Sequence, residues 1–281
     1  MSTSADQAKS DNIQRVREQA SAARTRQAAS ARRGKAAKSL GIVLGAALVL
    51  TGIIALAVFG PQWFGNDTKA QVEVSGTTGV VNSSGERVQA QMVAKADEPF
   101  IAVGDENAPA TIDYWFDFSC PHCRDYHTAV GPAMADAIAS GQLKVNFRTV
   151  QVVHPFGRLA GAALLSVAKH QPERYFDVME GLYNIEMQPQ TQFTMEDYAT
   201  AVQGMGITDE ATLSSIRSGE FTGTVDKNTK DALANGLKGT PAVAVDGTFL
   251  DELPDQAALA KIITDHGGDA SKVPALQNQQ A

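Results

Sequence analysis

Cysteine is nearly absent from this chain: Cys120 and Cys123 are its only two. A zinc site needs four ligands, and His127, His154, His170 and His266 show no paired ligand spacing, so a metal reading is disfavoured. A purely structural disulfide is disfavoured too, because closing so short a loop removes little chain entropy. Charge is also missing, from Leu40 to Phe59, where LGIVLGAALVLTGIIALAVF runs without a charged or strongly polar side chain. Twenty residues at ~1.5 Å rise span ~30 Å, a hydrocarbon core, and the apolar character runs all round rather than along one stripe, which disfavours a buried helix of a soluble protein.

What flanks that run gives it a direction. Before Ser39 stand nine Lys/Arg and three acids, so the tail carries about +6 and the rest of a chain of net charge −7 carries −13. The first charge after the run is Asp67, so the positive-inside rule places the N-terminus in the cytoplasm and everything after Gly60 outside. Trp63 and Phe64 then fall near the outer interface. Ala55-Leu56-Ala57 offers a small-x-small site for the rival reading, a cleaved signal peptide, but the basic region and the apolar run are both longer than such signals use. Either way the cysteines lie outside the cytosol, where disulfides persist. The tail is a topogenic or headgroup-facing segment, not a nucleic-acid contact, and a single-pass cell-membrane protein with an extracytoplasmic body is expected.

The two cysteines stand in Asp117-Phe118-Ser119-Cys120-Pro121-His122-Cys123. Ahead of them Ile112, Tyr114, Phe116 and Phe118 alternate with Asp113, Trp115 and Asp117, the period of a strand. Pro121 suits the first turn of a helix, which is predicted to run on through Ser140, with a kink at Gly131-Pro132 and Gly141 as its C-cap. Cys120 therefore sits where strand becomes helix, its sulfur beside unpaired amides and the positive dipole end. A thiolate is favoured there, so its pKa should fall. His122 adds a donor or a positive charge, and Cys123, one turn in, is placed to resolve rather than to attack.

Residues 61–97 are rich in Gly, Ser, Thr and Asn, with turn clusters at Gly76-Thr77-Thr78-Gly79 and Asn82-Ser83-Ser84-Gly85 and a short strand at Gln71–Val74; they are expected to form an extracytoplasmic linker. A strand follows the first helix at Leu143–Val150, parallel to the one before the cysteines. Helical spacing marks Leu159–His170, Glu173–Tyr183, Thr194–Met205, Asp209–Arg217 and Thr224–Leu237, with Thr194-x-x-Asp197 as a start signal. No titratable cluster stands out among them. Strands return on either side of an Asp246-Gly247 turn, then a helix over Gln256–Asp265 and a polar tail. Pro241, just ahead of a strand, is an ordinary turn proline taken alone; opposite a Cys-x-x-Cys it is better read as a cis proline shaping a peptide-binding edge.

Gly104-Asp105-x-x-Ala108-Pro109, the Cys120–Cys123 motif, and Gly239-Thr240-Pro241 leading to Asp246-Gly247 together resemble the DsbA-like family of exported thiol–disulfide oxidoreductases, over residues 98–268. The anchor and acidic exterior are similar to membrane-tethered actinobacterial members. The resemblance implies an α/β fold, thioredoxin-like with an inserted α-helical domain and preceded by one transmembrane helix. Its segments are a basic cytoplasmic tail (1–38), an anchor (39–60), the linker (61–97), a thioredoxin-like domain in two parts (98–157 and 236–268) around a helical insertion (158–235), and a polar tail (269–281). It implies further that Cys120 is the exposed nucleophile and Cys123 the resolving thiol, with Pro121 and His122 between them setting the oxidising character. The Thr240–Pro241 bond is implied to be cis and to hold an extended substrate. The redox-active disulfide is the only cofactor implied; the partners are exported proteins with paired cysteines and a quinone-linked membrane reoxidant of the DsbB or VKOR type. Thr240 departs from the valine of the best-known oxidant and is familiar from isomerases, so a reductase or isomerase stays open, as does a non-catalytic peptide-binding module. The buried acid of many thioredoxin-fold enzymes has no counterpart, since Tyr114 takes that spacing, flanked by Asp113 and Asp117.

Overall fold

The computed structural model describes residues 72–96, 98–185 and 193–279. The predicted tail and anchor lie outside these residues; among the described residues no helix is long and apolar enough to cross a membrane. In chain order the elements are β1 (Val74–Val81), β2 (Arg87–Ala94), β3 (Ile101–Val103), β4 (Ala110–Phe116), α1 (Pro121–Ala139), β5 (Leu143–Thr149), α2 (Pro155–His170), α3 (Tyr175–Tyr183), α4 (Met195–Gly204), α5 (Glu210–Ser218), α6 (Thr222–Ala234), β6 (Ala242–Val245), β7 (Thr248–Phe249) and α7 (Gln256–Asp265). The strands form one sheet in the order β1-β2-β3-β5-β4-β6-β7. Among the described strands only β4 and β5 pair in parallel, with α1 as their crossover.

The alternation in β4 positions the site. Ile112, Tyr114 and Phe116 are buried while Asp113 and Trp115 are half-buried on the opposite face. Tyr114 lies against Phe147 of β5 and Tyr126 of α1, with Phe116 edge-on to Phe118. Fully burying each of these side chains contributes roughly 1.5–3 kcal/mol, which fixes the register that delivers Cys120. On the opposite face Arg148 bonds Asp113 at 2.7 Å and stacks between Phe100 and Trp115.

Helix α1 runs through Pro132 without a break. It ends in a Schellman motif, in which Gly141, at φ +70°, donates to Ile138 O and Gln142 to Ala137 O. Between β5 and β6 the described residues form the helices α2 to α6, and α4 starts with the Thr194/Asp197 capping box. Asp246 and Gly247 both take positive φ, as a type I′ hairpin turn requires.

Two segments differ from expectation. Residues 74–94, predicted as part of a linker, form the β1–β2 hairpin in full eight-residue register. Asn82–Gly85 is its turn, but Gly76-Thr77-Thr78-Gly79 lies mid-strand. A Cβ at Gly79 would stand 2.8 Å from the Arg87 side chain, so the glycine there makes room for a cross-strand neighbour instead of a turn. The polar tail also packs: Ala270 and Leu276, in the short 3-10 turns Ala270–Lys272 and Pro274–Gln279, and Val273 between them are buried. Buried Asp136 of α1 joins both segments to the helix, accepting from Ala275 N and from the Ser83 hydroxyl.

Candidate active site

Cys120 is the N-cap of α1, in extended backbone conformation, and Pro121 is the first helical residue. Cys120 N donates to Asp117 O, and Cys123 N to Cys120 O, so the turn leading into the helix is closed by its own backbone. Both cysteines are free thiols. The Thr240–Pro241 peptide is cis, and the Cys120 thiol lies 3.1 Å from Thr240 O. The structure thus brings four of the predicted site residues together, Cys120, Cys123, Thr240 and Pro241. Pro121 and His122 are exposed on the first turn.

One expectation is corrected. Cys120 is only 4 % exposed rather than an open nucleophile, because in this dithiol state its sulfur is turned against the Thr240–Pro241 backbone. Its acidity follows the prediction in direction and differs in cause. The pKa is lowered to about 6, first by a hydrogen bond from the Cys123 thiol, against the opposing effect of burial, then by Thr240 and by the amides of Cys123 and His122. The amides at the helix start therefore contribute, but the neighbouring thiol contributes most. Cys123 moves the opposite way: burial, then the adjacent Cys120, push it well above the ordinary thiol value, although Asp117 N donates to its sulfur at 3.4 Å. The pair is thereby split into one sulfur ionised near neutral pH and one held as a thiol.

Asp117 is the residue that sequence reasoning left without a role. Its side chain is fully buried. Oδ1 accepts from Ser119 N at 2.8 Å and Ser119 Oγ at 2.6 Å; Oδ2 accepts from Val152 N at 2.7 Å and Val153 N at 2.9 Å. Ser119 Oγ accepts in turn from His154 N at 2.9 Å. One carboxylate thus joins the loop that carries Cys120 to the loop that starts α2. Gly157 makes this possible: a Cβ there would lie 2.0 Å from Asp117 Oδ1. That contact also explains why α2 begins at Pro155, ahead of the Leu159 expected from periodicity, since a glycine in the first turn looks like a breaker by pattern alone. Among the described residues no group of side chains could hold a metal ion.

A central sheet with a dithiol at the start of the crossover helix, facing a cis proline from the next strand, defines a thioredoxin-fold dithiol protein. The comparisons agree: the Thioredoxin family model matches residues 96–265, more than half of the chain, and the chain belongs to that family. It is similar to disulfide bond formation protein D of Bacillus subtilis, 24% identical over 169 residues, covering 57% of this chain and 74% of that one. It is also similar to the serine/threonine-protein kinase PknE of Mycobacterium tuberculosis, 28% identical over 178 residues, 58% of this chain but only 31% of the kinase. Among solved structures, oxidised Mycobacterium tuberculosis DsbA matches with a TM-score of 0.52 and 22% identity, covering 73% of this chain and 97% of that one. Oxidised BdbD of Bacillus subtilis gives 0.52 and 20%, covering 69% and 98%. The fold is therefore that of the DsbA-type members of the family.

Proposed function

We propose that this chain is an extracytoplasmic, membrane-anchored dithiol oxidase that introduces disulfide bonds into exported proteins. The observation that carries the reading is the split pair: a Cys120 thiolate favoured down to about pH 6 beside a Cys123 held as thiol, against a cis proline. The name of the Bacillus subtilis relative, a disulfide bond formation protein, supports the same direction.

In the oxidised enzyme a client thiolate attacks Cys120 Sγ, the Cys120–Cys123 bond breaks, and Cys123 leaves with the electron pair and takes up a proton. The client's second thiolate then attacks its own partner sulfur, and Cys120 leaves as thiolate. Two electrons have moved from client to enzyme. Stabilising the departing Cys120 thiolate favours the reduced enzyme, and that preference is what makes the disulfide oxidising. A quinone-linked membrane oxidase of the DsbB or VKOR type is the proposed reoxidant, and residues 39–60 the proposed anchor. The redox-active disulfide suffices as the enzyme's own prosthetic group.

Thr240 favours a second reading. Its carbonyl lies 3.1 Å from the Cys120 sulfur, where it accepts from a thiol and repels a thiolate, so a less oxidising reductase or isomerase is the alternative. The redox potential against pH separates the two. Below a Cys120 pKa near 6 the couple takes up two protons and the potential falls by ~60 mV per pH unit; above it one proton is taken up and the slope halves to ~30 mV. An oxidase shows that break near pH 6 and rapid oxidation of a reduced unfolded client. A break near 8.5, or a strongly reducing potential, overturns the proposal.

A further inference from the structure

Cys123 is fully buried, so its sulfur is cut off from water, yet dithiol exchange requires that sulfur to carry charge. It leaves as a thiolate when a client attacks Cys120, and it attacks as a thiolate in the reverse step. The amides at the start of α1 are directed at the other cysteine: those of Cys123 and His122 favour the Cys120 thiolate. Charge on Cys123 therefore has to be met from outside the helix.

The main-chain N–H of Asp117 meets it, donating to Cys123 Sγ at 3.4 Å. Burial and then the neighbouring Cys120 push the Cys123 pKa up; against them the Asp117 amide acts most strongly, ahead of the Thr240 side chain. The carbonyl of the same residue accepts from Cys120 N at 3.0 Å, so Asp117 touches both cysteines through its backbone alone. Its side chain holds that backbone in place. Oδ1 closes an Asx turn on Ser119 N at 2.8 Å, while Oδ2 is fixed from across the site by Val152 N at 2.7 Å and Val153 N at 2.9 Å. Turning the Asp117 amide away from the sulfur would strain or break these bonds in a fully buried place, where broken bonds are not replaced by water. The carboxylate brings a negative charge of its own, and the three amides and the Ser119 hydroxyl that donate to it offset that charge where a second anion must form.

We propose that the Asp117 main-chain N–H is a catalytic donor that stabilises the Cys123 thiolate during exchange, and that the Asp117 carboxylate is the positioning group that aims it. The role rests on the dithiol-exchange reading. An attacking thiolate bonds to Cys120 Sγ, the Cys120–Cys123 bond breaks, and the electron pair collects on Cys123 Sγ beside the amide until a proton arrives from water. The test uses the oxidised full chain in lipid nanodiscs with dithiothreitol as the attacking thiol. An ester in place of the Phe116–Asp117 amide, introduced as the α-hydroxy acid, deletes the donor alone; Asp117→Asn sets an NH2 group against amide donors and disturbs the aim. Both changes lower the second-order rate of disulfide reduction roughly tenfold, the worth of one hydrogen bond to a charged group. In a Cys123→Ser background, attack of Cys120 on oxidised glutathione puts no charge on residue 123, and its rate stays within about twofold for both changes. A site that had merely loosened would move both rates. An ester form reduced as fast as the wild type overturns the donor. Asp117→Asn matching the wild type, or slowing the two reactions equally, overturns the positioning role of the carboxylate. A wild type that dithiothreitol does not reduce overturns the exchange reading itself, and the donor with it.

Discussion

The two sides of α1 differ in how completely their polar groups are satisfied. Around the first turn nearly every one has a partner: Asp117 accepts four hydrogen bonds and Ser119 Oγ both donates and accepts. On the other side the buried Tyr114 and Tyr183 hydroxyls have no partner but each other. The first arrangement holds a reactive sulfur in place, because a saturated network resists movement. The same helix thus carries a rigid chemical end and a flank held by apolar packing, and the following experiments test whether that division holds.

The largest effect belongs to the cysteines. Cys120→Ser should abolish oxidation of a reduced client, whereas Cys123→Ser should accumulate a client–Cys120 mixed disulfide, visible by mass spectrometry without reductant. Exchange that survives in Cys120→Ser would remove the chemistry from this end of the helix. Next comes Asp117→Ala, which removes the acceptor of the Val152, Val153 and Ser119 amides and should lower the unfolding free energy by about 2–4 kcal/mol. Gly157→Ala should act through the same carboxylate, its new methyl displacing Oδ1. Denaturant unfolding checks both, and a cost below about 1 kcal/mol for either would show the network to be slack.

On the opposite flank the prediction concerns pH. His127 has a folded pKa of about 4 against an ordinary 6.5. Its contribution is therefore fully present above 6.5 and is lost as pH falls through 4, because the unfolded chain takes up the proton first. Up to about 3 kcal/mol should disappear across that window, and His127→Gln should flatten that part of the stability profile; an unchanged profile would place the imidazole in solvent. The smallest effect is Thr240→Val. The Thr240 side chain lowers the Cys120 pKa, while its carbonyl, which valine keeps, faces the sulfur either way, so the variant should raise the thiolate midpoint by less than about one pH unit, read from ultraviolet thiolate absorbance. A fall would mean that the threonine opposes the thiolate instead.

Local signals made much of this legible. The alternation before Cys120, Pro121 at the first helical position, the Thr194 capping box and the Asp246-Gly247 turn are short-range chemistry, and each element forms near its expected place. What escaped notice depends on distant partners. Asp117 meets Val152 and Val153 from 35 and 36 residues away, and no periodicity announces such a clamp. The β1–β2 hairpin was hidden because Gly76 and Gly79 look like turn residues. Pro172 lies 3.5 Å from where a Cβ of Gly76 would stand, and Arg87 crosses Gly79, so packing overrides propensity. Tyr114, at the spacing where related proteins carry an acid, was legible as a departure, but the buried Tyr183 beside its hydroxyl, which comes from the helical block, was not.

The two outer strands of the sheet bear on how such a protein survives its proposed clients. One rim is β7, two residues long; along the other, β1, the Pro172–Arg174 turn packs, with Pro172 against Gly76. Short or proline-guarded rims are poor templates for a foreign strand. A catalyst that meets nascent chains with unpaired backbone, as proposed for this protein, would be shielded in this way from co-aggregating with them.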